Sequence, residues 1–297
     1  MEQPMTGINT PSARHRRRTG RLDWIWFVPF FGFTLLFLVI PTIGLIIGSL
    51  TGGHPRVTLK YLAQLSQPQF LDAYRTSIAL SAATALGAGL VGILLAWAAI
   101  GGGLPKALRP LLMTFSGVAS NFAGIPLAFA FTASLGPVGM ITVLLQQATG
   151  YNLYHHGFSL FNFWGLAITY LYFQIPLMVL LITPALETLG RWSEAAASLG
   201  ASRWQYWTRV ALPILRIPLA GALLVLFGNS FGAYATAYAL TSGMINLIPI
   251  LIGQEMTGNV LFSPGLGDAL AVGMVVVMSV VFGLYLLMNR KGGRWAQ

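Results

Sequence analysis

Glu194 to Pro213 reads EAAASLGASRWQYWTRVALP, a polar, cation-bearing stretch set between two long apolar runs. The wider segment 187–216 holds Glu187, Arg191, Glu194, Arg203, Arg209 and Arg216. Those six belong to a chain with 17 basic and 7 acidic residues in all, so this loop belongs in water. Ser193 is placed to cap a short helix, and Glu194 to meet the positive end of its dipole. Ala195, Ala196 and Ala197 are good helix formers with small side chains, so another protein can approach the backbone closely. Gly200 suits the residue after a helix, where the chain turns left-handed. Ser202 then caps a second helix over 203–212, and Pro213 is expected to stop it. The expected product is a helix–bend–helix with an open docking face.

The runs on either side set the class. Of 297 residues, 56% are hydrophobic and 8% charged, whereas a soluble domain carries roughly 25% charged residues. Gly 34 and Pro 16 are high, as in transmembrane helices. The apolar runs are continuous, which argues against an alternating barrel strand pattern. The expected fold is an all-α polytopic membrane protein with about six spans of roughly 20 residues each. With Cys 0 there is no disulfide framework and no thiolate chemistry. A net charge of +10 raises nucleic acid as a partner, but the cations flank the spans, which points to lipid headgroups instead.

In chain order, residues 1–23 form a basic tail containing Arg14, Arg16, Arg17, Arg18 and Arg21. The run Trp24–Leu50 is too long for a signal core of about 7–15 residues and reads as the first span. An exposed connection with Gly52, Gly53, Pro55 and Pro68 leads to a second span, 77–100, rich in Ala and Gly for close helix packing. The third span, 110–135, is interrupted by Asn121, Gly124 and Pro126. Residues 138–149 are apolar but too short to cross, so they read as an interfacial or re-entrant helix. The fourth span is 160–185, the fifth 217–240 and the sixth 268–288, with an exposed loop over 241–267. This gives a transmembrane domain over 24–288 that contains the polar loop 187–216, and a short basic tail over 289–297. With both termini in the cytoplasm, Arg56, Lys60 and Arg75 are the only cations left outside, in accord with the positive-inside rule.

The spacing of Glu194, Ala195, Ala196, Gly200, Val210, Leu212 and Pro213 resembles the EAA loop of permease subunits of binding-protein-dependent ABC importers. Val210 stands where that family usually has Ile. The stretch Phe227-Gly228-Asn229-Ser230-Phe231-Gly232-Ala233-Tyr234 is similar to the sulfate, thiamine, iron and polyamine group within it. That group often carries an acid near this point, where Asn229 and Ser230 leave the span neutral. The resemblance implies a type I importer permease in a bacterial inner membrane. Its partners would be two ABC ATPase subunits, an identical or homologous second permease and an extracytoplasmic substrate-binding protein. Glu194 would pair with a basic residue of an ATPase groove, Ala195 and Ala196 would form the close-packing face, and Gly200 the bend. No phosphate-binding glycine loop occurs in the chain, so ATP is expected to be used by the partner and no cofactor to be bound here.

Polar residues within spans are costly, which makes Asn121, Asn229 and Ser230 candidates for the substrate path. Interhelical hydrogen bonding is their alternative role. Tyr234 and Tyr238 share a helical face and read as packing, Glu255 as a solvated loop carboxylate, and adjacent His155 and His156 lack further metal-ligand spacing. An ion-coupled secondary transporter is the competing function, but it usually buries ionisable groups in its spans, and spans two, three and five have none. A non-transporting membrane assembly subunit would have no need of the Glu194–Pro213 spacing.

Overall fold

The computed structural model describes residues 27–52, 57–101, 108–257 and 263–292. The basic tail 1–23, the turn around Lys106 and the last five residues lie outside them. The chain divides into two units, residues 1–45 and 46–297. The first described helix is α1, Val28–Thr51, with a π turn at Leu35–Val39. The second unit continues with α2 (Lys60–Gln64), α3 (Pro68–Gly101), α4 (Leu108–Ala119), α5 (Ile125–Leu135) and α6 (Met140–Thr149). After these come α7 (Phe163–Ser198), α8 (Arg203–Phe231), α9 (Tyr234–Thr241), α10 (Ile248–Thr257) and α11 (Pro264–Gly292). There is no strand among the described residues. Six stretches are long and apolar enough to cross a membrane: Val28–Thr51, Pro68–Gly101, Ile125–Thr149, Phe163–Ser198, Arg203–Phe231 and Pro264–Arg290.

Most spans are longer than expected, because flanking polar residues continue the helix beyond the apolar run. α7 begins with Asn162, whose Oδ1 accepts from the Gly165 N–H at 2.9 Å. It then runs without interruption through Pro176 and Pro184 to Ser198. The fifth span ends at Phe231, nine residues before the expected 240, and the chain restarts as α9. Residues 241–267 are not simply an exposed loop, for α10 buries Ile248 and Ile250.

The third crossing is the interrupted one. Length and hydropathy alone place it at 125–149, but side-chain pairing begins it at α4. Arg109 pairs with Glu187, and Thr183 reaches Met113 Sδ at 3.7 Å. Further along, Phe122 and Phe131 both pack edge-on against Tyr172. α4 and α5 therefore lie antiparallel along one helix, α7, as two halves of a single crossing. The short α6 follows after Gly136, as the sequence implies.

The middle of the second unit is built by small residues. α3 contributes Ala85, Ala88 and Ala96 against Met178, Val179 and Ile182 of α7. A Cβ on Gly92 would stand 2.6 Å from Met178 Cβ and 3.1 Å from the Ile175 carbonyl. In lipid there is little hydrophobic gain from helix association, so close backbone approach and van der Waals contact must supply it. Thr84 lies beside Gln174 and Gly92 beside Met178, so α3 and α7 run parallel. Thr84 also meets Ser230, and Gly89 meets Leu223, so α8 runs opposite to both. α11 runs antiparallel to α8, with Gly221 facing Tyr285 and Gly228 facing Met278. This alternation gathers Arg109, Arg191, Arg203, Arg209, Arg216 and Arg290 at one end, whereas Lys60 and Arg75 stand at the other.

Candidate functional site

The basic end is organised by the turn between α7 and α8. The Gly200 N–H donates to the Ala197 carbonyl at 2.9 Å, and the Ala201 N–H to the Ala196 carbonyl at 3.0 Å. With Gly200 at φ +74°, this is a Schellman ending. Ser202 then opens α8 with a capping box. Its Oγ accepts from the Gln205 N–H at 3.3 Å, and Gln205 Oε1 accepts from the Ser202 N–H at 2.9 Å. The Tyr206 hydroxyl donates to the Leu189 carbonyl at 2.8 Å and ties the two arms together.

Two local expectations fail here. Ser193 and Glu194 do not begin a helix; they lie in the last turns of α7, which continues unbroken from the fourth span. Glu194 therefore stands near the negative end of a helix dipole, where an acid is mildly unfavourable. Pro213 does not stop the second helix. A π turn over Trp207–Ala211, closed by the Leu212 N–H on the Trp207 carbonyl, carries the chain past it into the fifth span. The wider turn accommodates the N–H that Pro213 lacks. The bend is thus a rigid corner between two long helices.

A groove of about 800 Å³ runs along this corner. Trp192, Ala195, Ala196 and Leu199 form one wall, and Arg209, Val210, Pro213 and Arg216 the other. Of the expected docking residues, Ala195, Ala196, Val210 and Pro213 therefore meet in one concavity. Glu194 is exposed beside it, Gly200 makes its end, and Leu212 is exposed but does not line it. Leu199 and Trp204 are 87% and 77% exposed, far more than apolar side chains at a water-facing corner need be. Sequence reasoning passed over Trp192, Leu199 and Trp204, and took Arg209 and Arg216 only as marks of a water-facing loop. The available signal was large apolar residues in an otherwise polar loop.

The in-span polar residues divide into two groups. Asn121, in the break between α4 and α5, and Asn229 on α8 line one open cavity of about 620 Å³ with Ser120, Leu177 and Leu180. Among the described residues, no charged side chain lines it. Asn121 Nδ2 donates to the Gly117 carbonyl at 2.9 Å, which leaves its Oδ1 as the outward acceptor. Twelve residues of α4 span about 18 Å, which places this break near the middle of a hydrocarbon core about 30 Å thick. The freed backbone is tied elsewhere: the Gly124 N–H donates to Thr236 Oγ1 at 2.7 Å, joining this break to the one before α9. Ser230 is not part of the cavity. It is buried, with its Oγ 2.8 Å from Thr84 Oγ1, which in turn accepts from Gln174 Nε2 at 3.3 Å.

Glu255 is not a solvated loop carboxylate. It lies on α10 with Oε2 buried and without a hydrogen-bond partner, and burial pushes its carboxyl above the usual range. Tyr234 and Tyr238 stack on each other at 5.5 Å. His156 stacks on Tyr151, and among the described residues no three His, Asp or Glu groups gather to hold a metal ion.

Six helices long and apolar enough to cross a membrane, a break in the third crossing, a neutral cavity beside it and a polar corner between the fourth and fifth spans mark an α-helical polytopic membrane protein. The comparisons agree. Residues 88–292 match the family described as binding-protein-dependent transport system inner membrane component, and the chain belongs to that family. Among its relatives is the sulfate transport system permease protein CysT of Escherichia coli strain K12. The two are 24% identical over 245 residues, covering 79% of this chain and 82% of that protein. The spermidine/putrescine transport system permease protein PotB of Haemophilus influenzae is 34% identical over 129 residues, 40% of this chain and 43% of that one. The fold matches a chain of a bacterial alginate ABC transporter, solved in complex with an alginate pentasaccharide-bound periplasmic protein. That match has a TM-score of 0.71 and 19% identity, and covers 91% of this chain and 94% of the other. The chain is a multi-pass inner-membrane permease of the ABC importer class.

Proposed function

We propose that this permease takes its driving force from a separate ABC ATPase, through the corner 187–216. The observation that carries this reading is the corner itself: Glu194, Ala195 and Ala196 are part of the helix of the fourth span, and the Schellman bend at Gly200 joins that helix to the fifth. A docked corner of this kind moves as one body with α7 and α8, so closure of two ATPase subunits tilts the spans that flank the cavity. Transport follows as alternating access between this chain and a second permease, identical or homologous. A periplasmic binding protein delivers solute, as the complex of the alginate transporter supports. ATP is used by the ATPase and no cofactor is held by this chain. In this reading the basic end faces the cytoplasm, both termini are cytoplasmic by the positive-inside rule, and the binding protein meets the end near Lys60 and Arg75. In domain terms, 24–288 is the permease body, 187–216 its docking loop, and 1–23 and 289–297 its cytoplasmic tails.

Asn121 and Asn229 are the path residues in this reading, and Ser230 holds helices together. The relatives are named for sulfate and for spermidine/putrescine, so kinship leaves the solute open. The test is affinity purification of the detergent-solubilised chain from its own membrane, with mass spectrometry of what accompanies it. An ATPase and a permease partner are expected. A chain that purifies alone and transports without ATP would establish an ion-coupled transporter instead.

A further inference from the structure

We infer that the ATPase surface meeting this corner is acidic and inserts an apolar side chain into the groove between α7 and α8. The inference rests on the docking reading above and adds the chemistry of the partner.

Charge is the first ground. Arg191, Arg203 and Arg209 are exposed at the corner, and Arg216 lines the groove. Of the two acids in 187–216, Glu187 is engaged by Arg109, which leaves Glu194 to face the exposed Arg191, Arg203 and Arg209. A partner presenting mostly cations would meet like charge here, and like-charge juxtaposition across an interface is strongly unfavourable. One basic group opposite Glu194 fits; a basic face does not.

Shape is the second ground. Between its larger lining residues, the two walls of the groove carry Ala195, Ala196, Val210 and Pro213, small or compact residues, around a volume of about 800 Å³. Leu199 in the groove wall and Trp204 beyond it add apolar surface and are mostly exposed. Exposed apolar surface concentrated around a concavity and rimmed by cations matches an interface core with a polar rim. An anionic lipid headgroup has part of this chemistry. The charged ends of the two helices, 187–198 and 203–216, however, each run about 18 Å or more past the apolar stretches, farther than a headgroup layer of about 5–8 Å covers. A protein covers both.

The experiment is co-expression of the tagged permease with its cognate ATPase and measurement of ATPase retained in detergent across a salt series. The variants are Arg209→Glu, Arg209→Gln and Ala196→Trp, with Arg290→Gln as a control cation at the same end but outside the groove. The native complex should weaken as salt rises. Arg209→Gln should lower retention by about fivefold, in the range of one exposed ion pair, and Arg209→Glu should lower it further. Ala196→Trp should release the ATPase at every salt concentration, with the variant still monodisperse, and Arg290→Gln should match the native chain. Full, salt-insensitive retention by Arg209→Glu and Ala196→Trp would overturn the inference while leaving the docking reading intact. The same retention, with loss of binding to phosphatidylglycerol vesicles, would assign the groove to lipid and also overturn it. A native chain that retains no ATPase at all would remove the docking reading, and the inference with it.

Discussion

At Gly200 the backbone sits at φ +74°, and a Cβ there would meet nothing within 4 Å. The cost of a side chain is therefore conformational and not steric, about 1–2 kcal/mol for an L-residue in the left-handed region. Gly200→Val should misalign the corner and lower ATP-driven uptake, while Gly200→Asn, which tolerates that conformation, should retain most of it. Equal uptake by the two variants would separate transport from the bend. Glu194 is exposed near the C-terminal end of α7, so Glu194→Lys should keep or slightly raise the melting temperature and abolish ATPase co-purification; normal co-purification removes its docking role. In the spans, Ser230→Ala deletes a bond between helices, worth about 0.6 kcal/mol in membrane proteins, and should lower thermal stability slightly with uptake intact. Asn229 faces the cavity without a bond of its own, so Asn229→Ala should do the reverse, slowing uptake severalfold at unchanged stability. Glu255 adds a pH dependence. A carboxyl whose pKa is raised by burial contributes its stability below the unfolded value of 4.5 and loses it as pH rises through the folded value. The native chain should therefore lose more thermal stability between pH 4.5 and 8 than Glu255→Gln, and matching profiles would show the carboxyl solvated.

Among elements, α3 and α7 depend on each other through glycine. At Gly92 a side chain would run into the Met178 Cβ and the Ile175 backbone, neither of which is the far end of a flexible side chain. Gly92→Leu should destabilise the permease by about 1–3 kcal/mol, the usual cost of overpacking, read as a lower melting temperature in detergent. The helix boundaries show what element-level reading misses. Pro213 looked like a stop because an α-helix has no place for it, yet a π turn at 207–211 absorbs the defect. Ser193 looked like a cap because its neighbours are polar, yet the fourth span continues beneath it to Ser198. Capping propensity is a local preference, and a helix already nucleated and packed over eight turns overrides it. Where local chemistry was unopposed, at Ser202 and Gly200, the cap and the bend stand where the sequence puts them.

For the whole molecule, the alternation of spans gathers most of the described basic residues at one end, and the absence of cysteine from the sequence makes that arrangement directly testable. Single replacements Ser198→Cys and Ser159→Cys should be labelled by a membrane-impermeant maleimide from opposite sides of sealed vesicles; labelling from one side would refute the topology. The sequence by itself determined the class, the number of crossings, the interruption near Asn121–Pro126 and the bend at Gly200. Those features rest on composition, run length and backbone chemistry, which act over a few neighbouring residues. Only the tertiary structure decided which polar residues face the cavity and which face a helix. Asn229 and Ser230 are adjacent in sequence, but one turns to open space and the other to Thr84, because a helix rotates by about 100° per residue and packing sets the phase. The groove at the corner was hidden for the same reason: Ala195 and Val210 are fifteen residues apart, and they meet only because the Gly200 turn folds one helix back along the other.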